Sequence, residues 1–273
     1  MDSTSVEGPP EDGPHGNAAT YQRNGHVATI TYNRPEAANT VNGAMRRDLN
    51  AAWERFMADE DAWVAIVTGA GDRTFCGGAD LRDSDGSTGE FAGTFWEVPT
   101  INSFESGLEV FKPTIAAVNG ACIGYGLTAA VACDFVIASE RATFSWPEVT
   151  IGIPTIVGAI RLPRKVAWAD AMELLLTGEA VGADQAREMG LAWKVVPHDE
   201  LMTNALALAD RLCRAAPLAA RATKEVAVRT RDMGWTDAVR FGETMRRVAG
   251  ATMDAAEGRT AWKDKRPPEW KGR

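Results

Sequence analysis

The stretch from Thr114 to Pro154 constrains this chain more than any other. It reads TIAAVNGACIGYGLTAAVACDFVIASERATFSWPEVTIGIP. The apolar run Thr114 to Val118 has the length of a buried strand. Asn119-Gly120 turns the chain, and Gly124-Tyr125-Gly126 opens a run of small residues, Leu127 to Cys133, suited to a tightly packed helix. A second apolar run, Phe135 to Ala138, follows. One carboxylate, Glu148, then stands among Phe144, Trp146, Val149 and Ile151.

These residue types in this order point to a site. Paired glycines let the backbone approach a ligand closely and take angles that other residues resist. A helix starting near Tyr125–Gly126 would present N–H groups with no internal partners and partial positive charge. Such an end suits a phosphate or a developing oxyanion. A poorly solvated carboxylate favours its neutral form, and that poise is what a general acid or base requires. The same residues also fit a plain packing turn and a loop glutamate facing water.

Composition narrows the function classes. With a net charge of −8 the chain has no overall bias toward nucleic acid or anionic membrane. Any anionic ligand must therefore be met by local basic groups or backbone amides. No apolar run reaches 18 residues, so no spanning helix is expected. The N-terminus lacks the basic and apolar blocks of a secretion signal. The four cysteines, Cys76, Cys122, Cys133 and Cys213, form no CxxC pair and are expected as free thiols in a cytoplasmic protein.

The rest of the chain divides in order. Residues 1 to about 18 are rich in Pro, Gly and acidic residues and are expected to form a disordered tail. Asn24-Gly25 marks a hairpin turn, and Val27 to Tyr32 alternates like a half-buried strand. Asn42 is placed to cap a helix running to about Ala58, with Met45, Leu49, Ala52 and Phe56 on one face. Trp63 to Thr68 reads as another buried strand. Thr74 to Asp80, TFCGGAD, is a second place where backbone amides could face a ligand, ahead of a helix expected from Leu81. Residues 83–100 form a loose stretch, and Phe104 to Phe111 has helical spacing. After Pro154 short amphipathic pieces give way to nearly continuous helix from Asp199, broken at Pro217, Gly234 and Gly250. The expected fold is a single α/β core with a helical C-terminal part.

Several chemistries lack their residues. His15, His26 and His198 have no clustered partners, which argues against a Ser-His-Asp arrangement. No spacing suits zinc, and there is no phosphate loop of the GxxxxGK[ST] form. Gly124-Tyr125-Gly126-Leu127-Thr128-Ala129 does imitate a dinucleotide fingerprint, with Glu140 downstream. It sits in mid-chain, however, and Asn119-Gly120 separates its glycines from the preceding strand.

Taken together, these segments resemble the crotonase superfamily, the enoyl-CoA hydratase/isomerase family. The likeness runs from about Tyr21 to Arg273 through ITYNRPEAANTVN (30–42), AIVTGAGDRTFCGGADL (65–81), KPTIAAVNGACIGYG (112–126), ACDFVIASERATFSWPEVTIGIP (132–154), AMELLLTGE (171–179) and EGRTAWKDKRPPEWKGR (257–273). The resemblance implies a spiral of ββα units over residues 19–197 and a helical oligomerisation region over 198–273 that builds trimers, often paired into hexamers. It implies an acyl-CoA substrate, with no separate cofactor, no metal, and no nucleic-acid or membrane partner. It also implies that the N–H groups of Ala79 and Tyr125 hold the thioester oxygen while an enolate-like anion forms. Tyr125 stands where the family usually has glycine, so its side chain, with Trp96 and Trp146, would shape the acyl pocket. Ala79, Asp80, Leu81 and Arg82 match the stretch contacting the adenine end of the coenzyme. Trp262 and Lys265 match an aromatic and a lysine that reach a neighbouring subunit's ligand. Hydratases of the family use two glutamates. One matches Glu148, but the other falls on Thr128, whose hydroxyl can orient water yet cannot serve as a carboxylate base. The family default is hydration; this replacement leans toward double-bond isomerisation or another reaction served by one carboxylate. A non-catalytic acyl-CoA binder is the alternative of another class.

Overall fold

The computed structural model describes residues 18–82 and 103–273. The expected tail and the loose stretch containing Trp96 lie outside the described residues. Two sheets carry the architecture. The larger has six strands, in the order β1 (Ala19–Asn24), β2 (Val27–Tyr32), β3 (Val64–Gly69), β5 (Thr114–Val118), β7 (Phe135–Ser139) and β10 (Lys194–Val196), and the smaller has four, in the order β4 (Thr74–Cys76), β6 (Ala121–Ile123), β8 (Thr143–Ser145) and β9 (Val181–Gly182).

The hairpin forms where Asn24-Gly25 placed it. β1 (Ala19–Asn24) and β2 (Val27–Tyr32) pair antiparallel, and Gly25 takes φ +56° in the turn. Helix α1 (Gly43–Ala58) follows, and Asn42 Oδ1 accepts the Met45 N–H at 2.9 Å as its cap. From β2 onward the large sheet is parallel through β3 (Val64–Gly69), β5 (Thr114–Val118), β7 (Phe135–Ser139) and β10 (Lys194–Val196). Its central strands β3, β5 and β7 are packed on both faces, and the period of two sends alternate residues into two cores. Ala65, Val67, Ala116, Val118, Val136 and Ala138 join the larger core. Val64, Ile66, Ile115, Ala117 and Ile137 face the other way, against Leu201, Ala205, Leu208 and Ala209.

The smaller sheet packs into the first of these cores through Phe75, Cys76, Cys122 and Phe144. Its strands are β4 (Thr74–Cys76), β6 (Ala121–Ile123), β8 (Thr143–Ser145) and β9 (Val181–Gly182). β4, β6 and β8 run parallel, and β9 is antiparallel to β8. Each is too short to announce itself by hydrophobic period. Helix α2 (Tyr125–Ala132) springs directly from the end of β6. Its small residues permit a very close approach: a β-carbon on Gly126 would lie 2.5 Å from Cys76 Cβ and 2.7 Å from Cys76 O.

The later helices are α3 (Val157–Arg161), α4 (Trp168–Thr177), α5 (Ala183–Glu188), α6 (Leu201–Cys213), α7 (Pro217–Arg229), α8 (Trp235–Gly250) and α9 (Met253–Asp264). Their breaks fall at Pro217, Gly234 and just after Gly250, as the sequence pattern indicates. α6 lies across the second face of the large sheet and closes its core. The C-terminal tail folds back. Buried Asp254 accepts the Lys271 and Gly272 N–H groups at 2.7 and 2.9 Å, and Trp270 Nε1 donates to Arg214 O.

Two local expectations are corrected. Phe104 to Phe111 is a turn rather than a helix. Ser106 Oγ donates to Ser103 O and accepts the Ser103 N–H, and Gly107 takes φ +121°, so side-chain bonds replace the helical ladder. Leu81 and Arg82 lie in a turn, and the helix expected to follow falls outside the described residues.

Candidate active site

Three chain segments meet at the C-terminal end of the small sheet. The first is the end of β4. Val41 forms a parallel bridge with Ala79: its N–H donates to Gly78 O at 2.8 Å, and the Asp80 N–H donates to Val41 O at 3.0 Å. Asp80 is fixed further by Arg34 Nη1 at 3.1 Å and Thr40 Oγ1 at 3.2 Å. Burial alone would raise its carboxyl, but hydrogen bonds from Arg34, the Arg82 N–H and Thr40 outweigh it and hold the group below the usual carboxylate range. Ala79 is thus clamped on both sides while its own N–H stays uncommitted.

The second segment is the start of α2. β4 and β6 are neighbours, and a β-carbon on Gly78 would lie 3.3 Å from Ile123 O. The Gly77-Gly78-Ala79 turn therefore lies alongside Ile123-Gly124-Tyr125. Gly124 has φ +52° and ψ −113°, a conformation that an L side chain resists. Its N–H donates to Ser145 O at 2.9 Å, and its carbonyl accepts the Thr128 N–H at 2.9 Å. As the first helical residue, Tyr125 has no acceptor within its own helix. Among the described residues, neither its N–H nor that of Ala79 meets an acceptor.

The third segment is the 3₁₀ turn Pro147–Ile151, ended by Gly152 in the left-handed region. Pro147 starts it, and Glu148 follows with its carboxylate turned onto Gly124. A β-carbon at Gly124 would lie 2.7 Å from Glu148 Oε1. Glu148 Oε2 is buried without a hydrogen-bond partner among the described residues. An unsatisfied buried carboxylate oxygen is costly to hold and calls for a partner or a role. Glycine at 124 is therefore required twice, by its backbone angles and by the space the carboxylate fills.

Thr128 is brought to this cluster, but its hydroxyl is already engaged. It donates to Gly124 O at 3.1 Å and accepts from Trp146 Nε1 at 3.0 Å. Trp146 is 0% exposed, so it forms no wall of an open pocket; it lies behind the site and holds Thr128. Cys76 also adjoins the helix start. Burial pushes its thiol up to about 12, leaving no thiolate nucleophile there near neutral pH.

The remaining sequence candidates spread outward. Leu81 is 64% exposed and Arg82 is exposed, on the surface beside Asp80. Trp262 is 82% exposed on α9, and Lys265 forms the left-handed C-cap of that helix. Among the described residues, no hydrogen bond or ring contact joins either to the three segments.

Two site residues escaped sequence reasoning. Tyr125 Oη donates to Glu105 Oε2 at 2.8 Å, and Arg46 Nη1 lies 3.4 Å from Glu105 Oε1. Glu105 is buried, and it falls in the segment expected as a helix. Arg46 is 59 residues away on α1, so no local spacing links them.

Two amides with no acceptor among the described residues and a carboxylate with one buried oxygen thus lie around the start of α2, an arrangement suited to a reaction that develops negative charge on oxygen. Comparison with known proteins gives the family. The model of a family described as enoyl-CoA hydratase/isomerase matches residues 22–273. The chain is 37% identical over 256 residues to the (E)-benzylidenesuccinyl-CoA hydratase of Thauera aromatica, covering 93% of this chain and 98% of that one. It is 37% identical over 263 residues to the carnitinyl-CoA dehydratase of Proteus mirabilis, with 91% and 96% covered. The crystal structure of an enoyl-CoA hydratase/isomerase from Mycobacterium paratuberculosis superposes with a TM-score of 0.82 at 37% identity, covering 94% and 99%. The protein belongs to the enoyl-CoA hydratase/isomerase family of the crotonase superfamily and is an enzyme of that family.

Proposed function

We propose that the protein moves a proton along the acyl chain of an enoyl-CoA thioester, with Glu148 as the single acid/base. The Ala79 and Tyr125 N–H groups bind the thioester oxygen. Glu148 takes a proton from C2 of a 3-enoyl-CoA, and the resulting dienolate places its charge on that oxygen. The protonated Glu148 then returns the proton to C4, giving the 2-enoyl-CoA. Atoms and charge balance without a second carboxylate or any further cofactor.

The state of Thr128 carries this reading over the family default. Its one proton is given to Gly124 O and its oxygen accepts from Trp146, so nothing there can take a proton from an attacking water. Hydration or dehydration is the second reading, favoured by the activities named for relatives at 37% identity. Purified protein is incubated with panels of 2-enoyl-CoA and 3-enoyl-CoA thioesters, and the products are resolved by mass spectrometry. Isomers of unchanged mass support proton transfer, and a gain of one water supports hydration. Tight binding with no product would make the chain a binder. Thr128→Glu sharpens the choice: we expect no gain in hydration, because the side chain at 128 is buried and bonded to the Trp146 indole rather than open to a substrate.

We propose further that Trp262 and Lys265, at the exposed end of α9, reach a ligand held by a second copy of the chain; their exposure supports this reading. That role requires a trimer or hexamer, which light scattering would detect.

A further inference from the structure

The Gly124-Tyr125-Gly126 tripeptide has to present one N–H in a fixed direction, yet two of its residues are glycine, the least constrained residue in a backbone. The side chain of Tyr125 supplies a tether. Its hydroxyl donates to Glu105 Oε2 at 2.8 Å. Glu105 is 8% exposed and sits in the turn fixed by the mutual bonds of Ser103 and Ser106. Its other oxygen faces Arg46 Nη1 at 3.4 Å, and the Arg46 guanidinium stands 5.4 Å from the centre of the Tyr125 ring. Arg46 belongs to α1, which packs by Met45, Leu49 and Phe56 into the main core. The start of α2 is thereby tied across the molecule to a rigid helix through a buried carboxylate.

We infer that Glu105, held by Arg46, is a positioning residue that aims the Tyr125 N–H at the thioester oxygen through the tyrosine hydroxyl. Three features support this. The contact joins a buried carboxylate to the one side chain of the tripeptide. The two carboxyl oxygens of Glu105 each have a partner, Tyr125 Oη on one and Arg46 Nη1 on the other, so the tether is held at both ends. And burial, followed by the charge and hydrogen bond of Glu105, pushes the Tyr125 hydroxyl well above the ordinary phenol range, so it remains a donor. The peptide that carries the Tyr125 N–H is also held through its Gly124 carbonyl, which accepts from the Thr128 N–H and hydroxyl; the tether to Glu105 holds the Tyr125 end of the same peptide and acts together with those bonds.

This inference rests on the oxyanion role assigned to Tyr125 under Proposed function, and its test separates the two. Acetoacetyl-CoA serves as the probe, because its enolate absorbs in the near ultraviolet and the bound enolate fraction reports how well the oxygen is held. Wild type, Tyr125→Phe, Glu105→Leu and Glu105→Gln are titrated with it, and kcat and KM are measured on the turned-over enoyl-CoA. In Tyr125→Phe and Glu105→Leu the bound enolate and kcat should fall about tenfold, less than the outright loss of an oxyanion donor. KM should change by less than about twofold, because ground-state contacts are kept. Glu105→Gln keeps an acceptor for the hydroxyl and should recover part of both losses. Enolate and kcat unchanged in Tyr125→Phe, a variant lacking one oxygen atom, would overturn the positioning role while the oxyanion reading stands. A wild type that binds no acetoacetyl-CoA, or binds it without enolate, would overturn that reading and this inference with it. Should Glu105→Leu fail to fold, Tyr125→Phe with Glu105→Gln decides the matter.

Discussion

The central strands of the large sheet, β2, β3, β5 and β7, run five or six residues, and β3 and β5 pack both faces into cores. The strands of the small sheet run three residues or two. Yet the three segments bearing Ala79, Tyr125 and Glu148 leave from the ends of β4, β6 and β8. Apolar burial and the candidate site are therefore divided between the two sheets. Long, doubly buried strands supply apolar burial and admit polar side chains only with partners, as where Thr68 donates to Ala117 O and Thr114 to Asp134. Short strands contribute little burial of their own, but each ends quickly in a turn, and three such ends lie side by side. The small sheet can hold an unsatisfied carboxylate oxygen and two idle amides because the large one bears the cost of ordering the chain.

Substitutions in each sheet should separate these duties. The largest effect is expected from Glu148→Gln at the end of β8. Turnover should drop by about 10²–10⁴ while the protein folds and still binds acyl-CoA, since only the proton carrier is lost. Steady-state kinetics with a melting curve reads both, and an unchanged rate would remove Glu148 from the mechanism. Ile66→Ala in β3 is the counterpart. It deletes a wholly buried side chain and should cost about 2–5 kcal/mol in denaturant unfolding, with activity per folded molecule preserved. A variant that kept its stability but lost turnover would erase the division of labour.

Gly124→Ala comes next. Its β-carbon would lie 2.7 Å from Glu148 Oε1, in a backbone conformation alanine resists, so the carboxylate must move. Displacement on the order of 1 Å at a reacting group costs about 10²-fold in rate. The comparison sharpens if kcat falls by that much while acyl-CoA affinity holds, as isothermal titration would show. The smallest effect belongs to Thr128→Val, which strands the Trp146 indole N–H. That should cost about 1–3 kcal/mol of stability, and kcat should fall less than in Gly124→Ala. A loss of turnover equal to that of Glu148→Gln would instead give Thr128 a direct part in the chemistry.

How much could be read from the chain follows from the same contrast. The large sheet was legible because strands of five or six apolar residues leave a periodic trace, and α1 was legible because Asn42 precedes an apolar face. Glu148 and the two glycine turns were recognisable from residue type and from their order along the chain. The small sheet was not: three residues are too few for a period, and Thr74–Cys76 reads equally well as turn. The Phe104–Phe111 segment has helical spacing, but Ser103 and Ser106 divert its backbone hydrogen bonds. Glu105 could not be singled out, because its partners Arg46 and Tyr125 lie 59 and 20 residues away.

The sequence by itself determined the elements whose causes are local: apolar runs, caps, glycine turns, and a carboxylate in an apolar setting. Only the tertiary structure decided which of these meet. It turned Glu148 onto Gly124, committed the Thr128 hydroxyl to Trp146, and tied Tyr125 to Glu105. Such contacts join residues 18 to 24 positions apart along the chain, across strands and turns. They depend on how short strands stack, and stacking is fixed by packing the whole core rather than by any local preference.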